Sequence, residues 1–227
     1  MLNYEAEPKV LLPYVPAGTE LDLWSGTIYL SVVGFQFLNT RVLGVPIPFH
    51  RHFDEVNLRF YVRRKAADGW RRGVVFIKEI VPRAAIAFTA RYFYNENYVA
   101  SPMGHEIRFA ACNSGKLEEV SYRWKHRGNE NRLEVRAGNG PVGLVEGSHE
   151  QFIAEHYWGY SAQPDGDTIE YEVEHPPWRV WPAESAVLDC DVGSVYGERF
   201  VGYLSGSPAS AFVADGSRVT VYKGGRV

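Results

Sequence analysis

Along most of this chain apolar and polar residues alternate with a period of two, the repeat of a half-buried β-strand. Thr27 to Leu38 is β-branched and aromatic enough for a long strand, and Phe53 to Arg63 alternates more cleanly than any other segment. Further strands are predicted at Arg108–Cys112, Glu118–His126, Arg132–Ala137, Thr168–Val173, Ala186–Asp191 and Arg218–Lys223, separated by Gly, Asn, Asp and Pro clusters. Helices are few. Pro82–Tyr94 opens on a proline suited to a first helical turn and is rich in alanine, while Ser148 can cap a short helix through about His156. Ser194 to Leu204 is read as a turn or short helix. No repeat, low-complexity tract or long linker divides the chain, so residues 1–227 form one domain that is mainly antiparallel β, with a small helical part (α+β).

The candidate chemistry sits where that alternation is cleanest. One face of the Phe53–Arg63 strand carries Asp54, Val56, Leu58, Phe60 and Val62, and the other carries Glu55, Asn57, Arg59 and Tyr61. That second face either meets water or lines a polar interior. The next strand, Gly73 to Val81, is apolar on both sides except at Lys78 and Glu79. With Asp68-Gly69 turning the hairpin and Ala67 opposite Trp70, Lys78 joins the Glu55/Asn57/Arg59 face; a change of register by one residue puts Glu79 there instead. A lysine among apolar walls and beside an arginine gives up its proton more readily and can form an imine with a ketone, with Glu55 moving protons. A glutamate there makes a carboxylate pair with an arginine clamp, suited to an oxygen-rich ligand or to acid–base work. The bland alternative is an internal ion-pair network of Glu55, Arg59, Lys78 and Glu79.

Composition removes several classes. The chain has 227 residues, is 45% hydrophobic and 14% aromatic, and carries a formal charge of −3. That fills a core and gives no basic face for nucleic acid. The run Arg63-Arg64-Lys65, with Arg71-Arg72 across the turn, reads as a solvated hairpin end. Neither a signal segment nor a membrane-length apolar run is found, so a cytoplasmic location is expected. Cys112 and Cys190 lack any CxxC spacing and read as reduced core thiols. His50-Arg-His52 puts two imidazoles on one side, but the other histidines have no acidic partner at ligand spacing, so no metal and no cofactor are expected. The motifs His156-Tyr-Trp-Gly-Tyr160 and His175 to Trp181 join aromatics to a polar group; they can wall a pocket, but read first as buried aromatic core with a hydrogen-bonded histidine.

The stretches Val33–Pro46, Phe53–Arg63, Gly73–Arg83 and Ala90–Tyr98, with the His156 and His175 motifs, resemble a bacterial YqjF-like family of domains of unknown function. That family belongs to the acetoacetate decarboxylase-like superfamily. The resemblance implies an antiparallel sheet curled into a cone or barrel around a ligand cavity with a few outer helices, and so an interior position for the polar face. Glu55 falls in the Glu-Val strand motif where the decarboxylases carry an active-site glutamate. Their imine-forming lysine lies in a Lys-Lys pair shortly after the helix; this chain has Asn95-Glu-Asn-Tyr98 there, and no lysine between Lys78 and Lys116. Related decarboxylases assemble, which makes a homo-oligomer an expectation here.

Three readings follow. In the first, Glu55, Asn57, Arg59 and Arg91 hold a small oxo-acid or carboxylate ligand among Tyr94, Tyr98 and Trp158 in a central polar cavity. In the second, a lyase or hydratase acts on a β-keto or related oxo-acid with Lys78 as amine, or Glu55 and Glu79 as acid and base. The third is a structural or partner-binding module with a filled interior.

Overall fold

The computed structural model describes residues 1–39, 41–42, 45–46, 52–82, 97–110 and 116–227. The Pro82–Tyr94 helix beyond Pro82, the residues Arg91, Tyr94 and Cys112, and His50 lie outside them. The strands run in order β1 (Leu2–Ala6), β2 (Glu20–Leu21), β3 (Ile28–Phe37), β4 (Arg41–Val42), β5 (Val45–Pro46), β6 (Phe53–Ala66), β7 (Gly69–Val81), β8 (Tyr98–Ala100) and β9 (Met103–Phe109). They continue as β10 (Leu117–His126), β11 (Asn129–Ala137), β12 (Val142–Gly143), β13 (Trp158–Ala162), β14 (Thr168–Glu174), β15 (Arg179–Asp189), β16 (Ser210–Ala214), β17 (Thr220–Val221) and β18 (Gly225–Arg226).

Except for the β4–β5 pair, all belong to one sheet whose backbone order is β17-β14-β13-β7-β6-β3-β1-β16-β15-β11-β10-β9. The sheet is mixed, because β7 runs parallel to both β13 and β8. Its order has two ends, so among the described residues it is open and not a closed barrel. It is nevertheless curled. A Cβ built on Gly34 of β3 would collide with the Tyr122 ring of β10, and His105 of β9 reaches Asp54 at the start of β6 (Nδ1 to Oδ1, 2.9 Å). The β9–β10 end thus folds back over the Asp54/Val56 face of the centre.

The curl encloses the apolar face. Val56, Leu58, Phe60 and Val62 of β6 pack with Leu30, Val32, Val75 and Ile77, and against Tyr122, Trp124, Leu133 and Val135 from the folded-over end. Helices Val192–Tyr196 and Val201–Leu204 add Val195, Tyr196 and Leu204 to the same core. The polar face of β6 is therefore the reverse of the filled side, not the lining of the curl. It is buried all the same. Tyr61 and Tyr29 on that side pack with Phe152 and Ile153 of the helix His149–Ala154, whose cap Ser148 Oγ accepts from Gln151 N at 3.1 Å. That helix stops short of His156.

Tyr4 and Tyr196 direct hydroxyls, and Trp124 its Nε1, into the apolar core without a hydrogen-bond partner among the described residues. Burial drives both phenols well above their ordinary pKa. A buried hydroxyl with no partner carries its desolvation cost and nothing in return. Tyr196→Phe is therefore expected to leave stability unchanged or raise it by up to about 1 kcal/mol. Urea unfolding checks this, and a clear loss would mean that the hydroxyl has a bonded partner in solution.

The run of arginines at the hairpin end is paired, not merely solvated. Arg64 and Arg71 both reach Glu170 (3.3 and 2.5 Å), and Arg63 holds Glu20 at 2.6 Å. Among the described residues no helix is long and apolar enough to cross a membrane, and no three His, Cys, Asp or Glu residues gather as a metal site.

Candidate functional site

The β6–β7 hairpin decides which side chains meet. Ala66 pairs with Gly69, so Ala67 and Asp68 form the tip, not Asp68-Gly69, and Lys65 rather than Ala67 faces Trp70. Moving the pairing by two positions keeps the same faces together, and on its own would bring Lys78 opposite Asn57. The register then breaks. Arg59 pairs with Phe76 but Leu58 with Lys78, leaving Ile77 as the extra residue of a β-bulge. Beyond it Asn57 faces Glu79. One inserted residue thus puts Glu79 on the polar face and turns Lys78 to the apolar one.

Glu55, Asn57 and Glu79 are almost completely buried, at 1%, 0% and 1% exposure. Asn57 Nδ2 donates to Glu55 Oε1 at 2.9 Å. Asn57 Oδ1 is enclosed with no hydrogen-bond partner among the described residues. Tyr98 lies next to Glu79 across the parallel β7–β8 pair, and Asn97 Nδ2 donates to Ile77 O at the bulge (3.1 Å). Among the described residues the walls are apolar. Phe35 is opposite Glu55 and Val33 opposite Asn57; Phe37 stacks on Phe53 with centroids 4.6 Å apart; and Val81 packs with Tyr98 and Phe53. Two carboxyl groups and an amide in such surroundings can bind hydroxyl or amine donors and can pass protons, because a site with little water lets small changes of environment move a carboxyl's proton affinity.

Arg59 shares the strand face, but its Nη2 donates to Ile153 O (3.4 Å) in the neighbouring helix. Lys78 is brought to a different place. Its Nζ donates to Val195 O on the apolar side, where burial and the nearby Arg127 hold its ammonium below the usual lysine range. Trp158 is also elsewhere. It pairs with Gly73, which faces Val62, and Arg71 stacks on its ring at 4.1 Å. Cys190 is half-buried, its thiol pushed up to about 12, mainly by burial.

A second polar group on the Arg59 side has only a partial signal in the sequence. Ser31 Oγ donates to Asn3 Oδ1 and contacts the Tyr61 hydroxyl, both at 2.6 Å, and Asn3 Nδ2 donates to Ser210 Oγ. His156 stacks on Tyr61 (4.6 Å, 26°), and Arg72, bonded to Asp22 at 2.6 Å, approaches its Nε2 at 3.5 Å. Tyr61 continues the period of the polar strand face and could be found that way. Asn3 and Ser31 come from segments 28 residues apart that only the β1–β3 pairing joins.

Burial first, then Arg72 and Arg59, hold His156 well below the ordinary 6.5. The unfolded imidazole therefore takes up a proton first as the pH falls. Stability is full above about pH 6.5 and declines below it by up to about 1.4 kcal/mol per pH unit. His149 is shifted in the same direction by burial. Urea unfolding at about pH 7.5 and 5.5 is expected to show a smaller difference for His156→Phe than for the parent; an unchanged difference would assign the acid sensitivity to other groups.

The curled, open, mostly β sheet defines an acetoacetate decarboxylase-like fold. Solved structures agree: an acetoacetate decarboxylase-like enzyme from Sphingomonas wittichii RW1 matches with TM-score 0.60 and 14% identity, over 99% of this chain and 86% of that one. The enduracididine biosynthesis enzyme MppR complexed with pyruvate matches with TM-score 0.62 and 12% identity, over 99% and 83%. At these identities the likeness is one of fold. The chain belongs to domain-of-unknown-function family 2071, described as an uncharacterized conserved protein, whose model matches residues 1–218. It is also 25% identical over 197 residues to the uncharacterized protein YqjF of Bacillus subtilis (strain 168), covering 86% of this chain and 77% of that protein.

Proposed function

We propose that this protein binds a small oxygen-bearing ligand, an oxo-acid or related carboxylate, at the Glu55–Asn57–Glu79 face. The observation that carries the reading is the bulge at Ile77, which gathers two buried carboxyl groups and an amide whose oxygen has no partner among the described residues, between apolar and aromatic side chains. Natural cores seldom keep such groups together unless they are used, because each costs free energy to bury. A fold neighbour bound to pyruvate supports the ligand class. A carboxylate beside two glutamates needs a counter-charge, and the reading assigns that to Arg91, with Tyr94 and Tyr98 as further contacts.

The paired carboxyls favour a second reading, a lyase or hydratase in which Glu55 and Glu79 act as acid and base. Calorimetric titration with pyruvate, acetoacetate and related oxo-acids, run alongside NMR detection of product, tests both. Saturable binding is expected, with an affinity shifted about tenfold or more, roughly 1.4 kcal/mol, in Glu55→Gln and Glu79→Gln. Product formation lost in those variants would establish the enzyme; equal affinity in parent and both variants would remove the site from this face.

A further inference from the structure

Strand β9 ends the sheet, paired with β10 on one side and with no strand on the other among the described residues. From Gly104 to Phe109 its residues are exposed, including Ile107 at 40% and Phe109 at 59%. The Lys125 N–H donates to Pro102 O, and the Ala110 N–H to Lys116 O. Backbone groups alternate sides along an antiparallel strand, and the irregularity in this pair is an extra residue on β10, so β9 keeps its alternation. Its even-numbered residues turn to β10. His105, Ile107 and Phe109 therefore present their N–H and C=O groups at the open edge. Such edges are usually blunted by lysine, proline or a covering element, and β9 contains neither lysine nor proline.

Read about a two-fold axis at Ile107, this edge is complementary to itself. Ile107 meets its own copy as a hydrogen-bonded pair, Glu106 comes opposite Arg108 of the second copy, and His105 opposite Phe109. An axis at His105 would set Glu106 against Gly104, and one at Phe109 would set Arg108 against Ala110; neither joins opposite charges. The two faces also sort correctly. Glu106 and Arg108 share the face of Ser121 and Glu119, where Arg108 already bridges Glu119, whereas Ile107 and His105 share the core-side face of Val120 and Tyr122. We propose that β9 is the seam of a homodimer in which two copies join edge to edge about Ile107, continuing the sheet across the axis with reciprocal Glu106–Arg108 pairs.

Sedimentation over a concentration series tests this with Glu106→Arg, Arg108→Glu and an equimolar mixture of the two. The parent is expected to dimerise. Each variant alone sets like charges opposite one another and is expected to weaken the dimer about tenfold or more, whereas the mixture restores opposite pairs and recovers it. Hydrogen exchange of the parent is expected to show the Ile107 and Phe109 amides slowing as protein concentration rises, while those of Glu106 and Arg108 do not change. A parent that stays monomeric up to about 1 mM, the scale of the weakest specific association, overturns the proposal. So does a dimer equally strong in both variants, or a mixture of folded variants that does not recover. Should Arg108→Glu fail to fold for want of its Glu119 bridge, the concentration dependence of exchange at Ile107 decides.

Discussion

Asn57→Asp is expected to destabilise the protein by about 4 kcal/mol near neutral pH, the scale of an uncompensated buried charge. The amide at this position is fully buried, donates to Glu55 Oε1 and faces Glu79 across the strand pair. Aspartate keeps the shape but replaces the donor by an acceptor and gathers a third carboxyl group on one apolar-walled face. Burial and like charge both raise the folded pKa of the new carboxyl above the unfolded value of about 3.9. The sign follows from that. Below the unfolded value the group is protonated in both states and the charge penalty is absent; it grows as the pH rises and is complete above the folded pKa. The difference in unfolding free energy between parent and variant, measured by urea at about pH 8 and pH 5, should therefore be larger at the higher pH. Asn57→Leu, which loses the donor without adding charge, should show little of that dependence. Equal losses for Asp at both pH values would mean that a counter-charge already neutralises the site.

Gly73→Ala is expected to cost about 3 kcal/mol, the upper range for overpacking a fitted core. The backbone of β7 at Gly73 runs so close to β13 that an added Cβ would stand 2.6 Å from the carbonyl oxygen of Trp158 and 2.6 Å from Tyr160 Cε2. The oxygen belongs to main chain within a parallel strand pair, so it cannot rotate aside; relief requires β7 and β13 to separate. Because β13 carries β14 and the strands beyond it, the whole Trp158–Glu174 hairpin should loosen with it. Hydrogen exchange on the variant should show faster exchange in β13 and β14 than in β10 and β11. Uniform loss across the sheet, or none, would mean that the close approach does not hold the two strands in register.

The alternation of residues fixed more here than any motif. A clean period of two in Phe53–Arg63 is enough to identify β6 and its two faces, since side chains on a strand can only alternate. Leu117–His126 and Thr168–Glu174 were legible for the same reason, and so was the helix start at Ser148, a local bond between a hydroxyl and an amide three residues on. Leu2–Ala6 and Ser210–Ala214 were not. Each is short, and each becomes a strand because its neighbours in the sheet supply partners from far along the chain. The polar composition of the β6 face was likewise present in the sequence, including Glu55, Asn57 and Tyr61. Its companion was not. Whether Lys78 or Glu79 joins it rests on one extra residue at Ile77, and a bulge is a property of two paired strands that neither sequence segment carries alone. Only the tertiary structure also decided that the apolar face fills the curl while the polar face is buried on its reverse, because burial depends on what folds over each side. Sequence sets the period of a strand; partners and layers set which of its faces meets what.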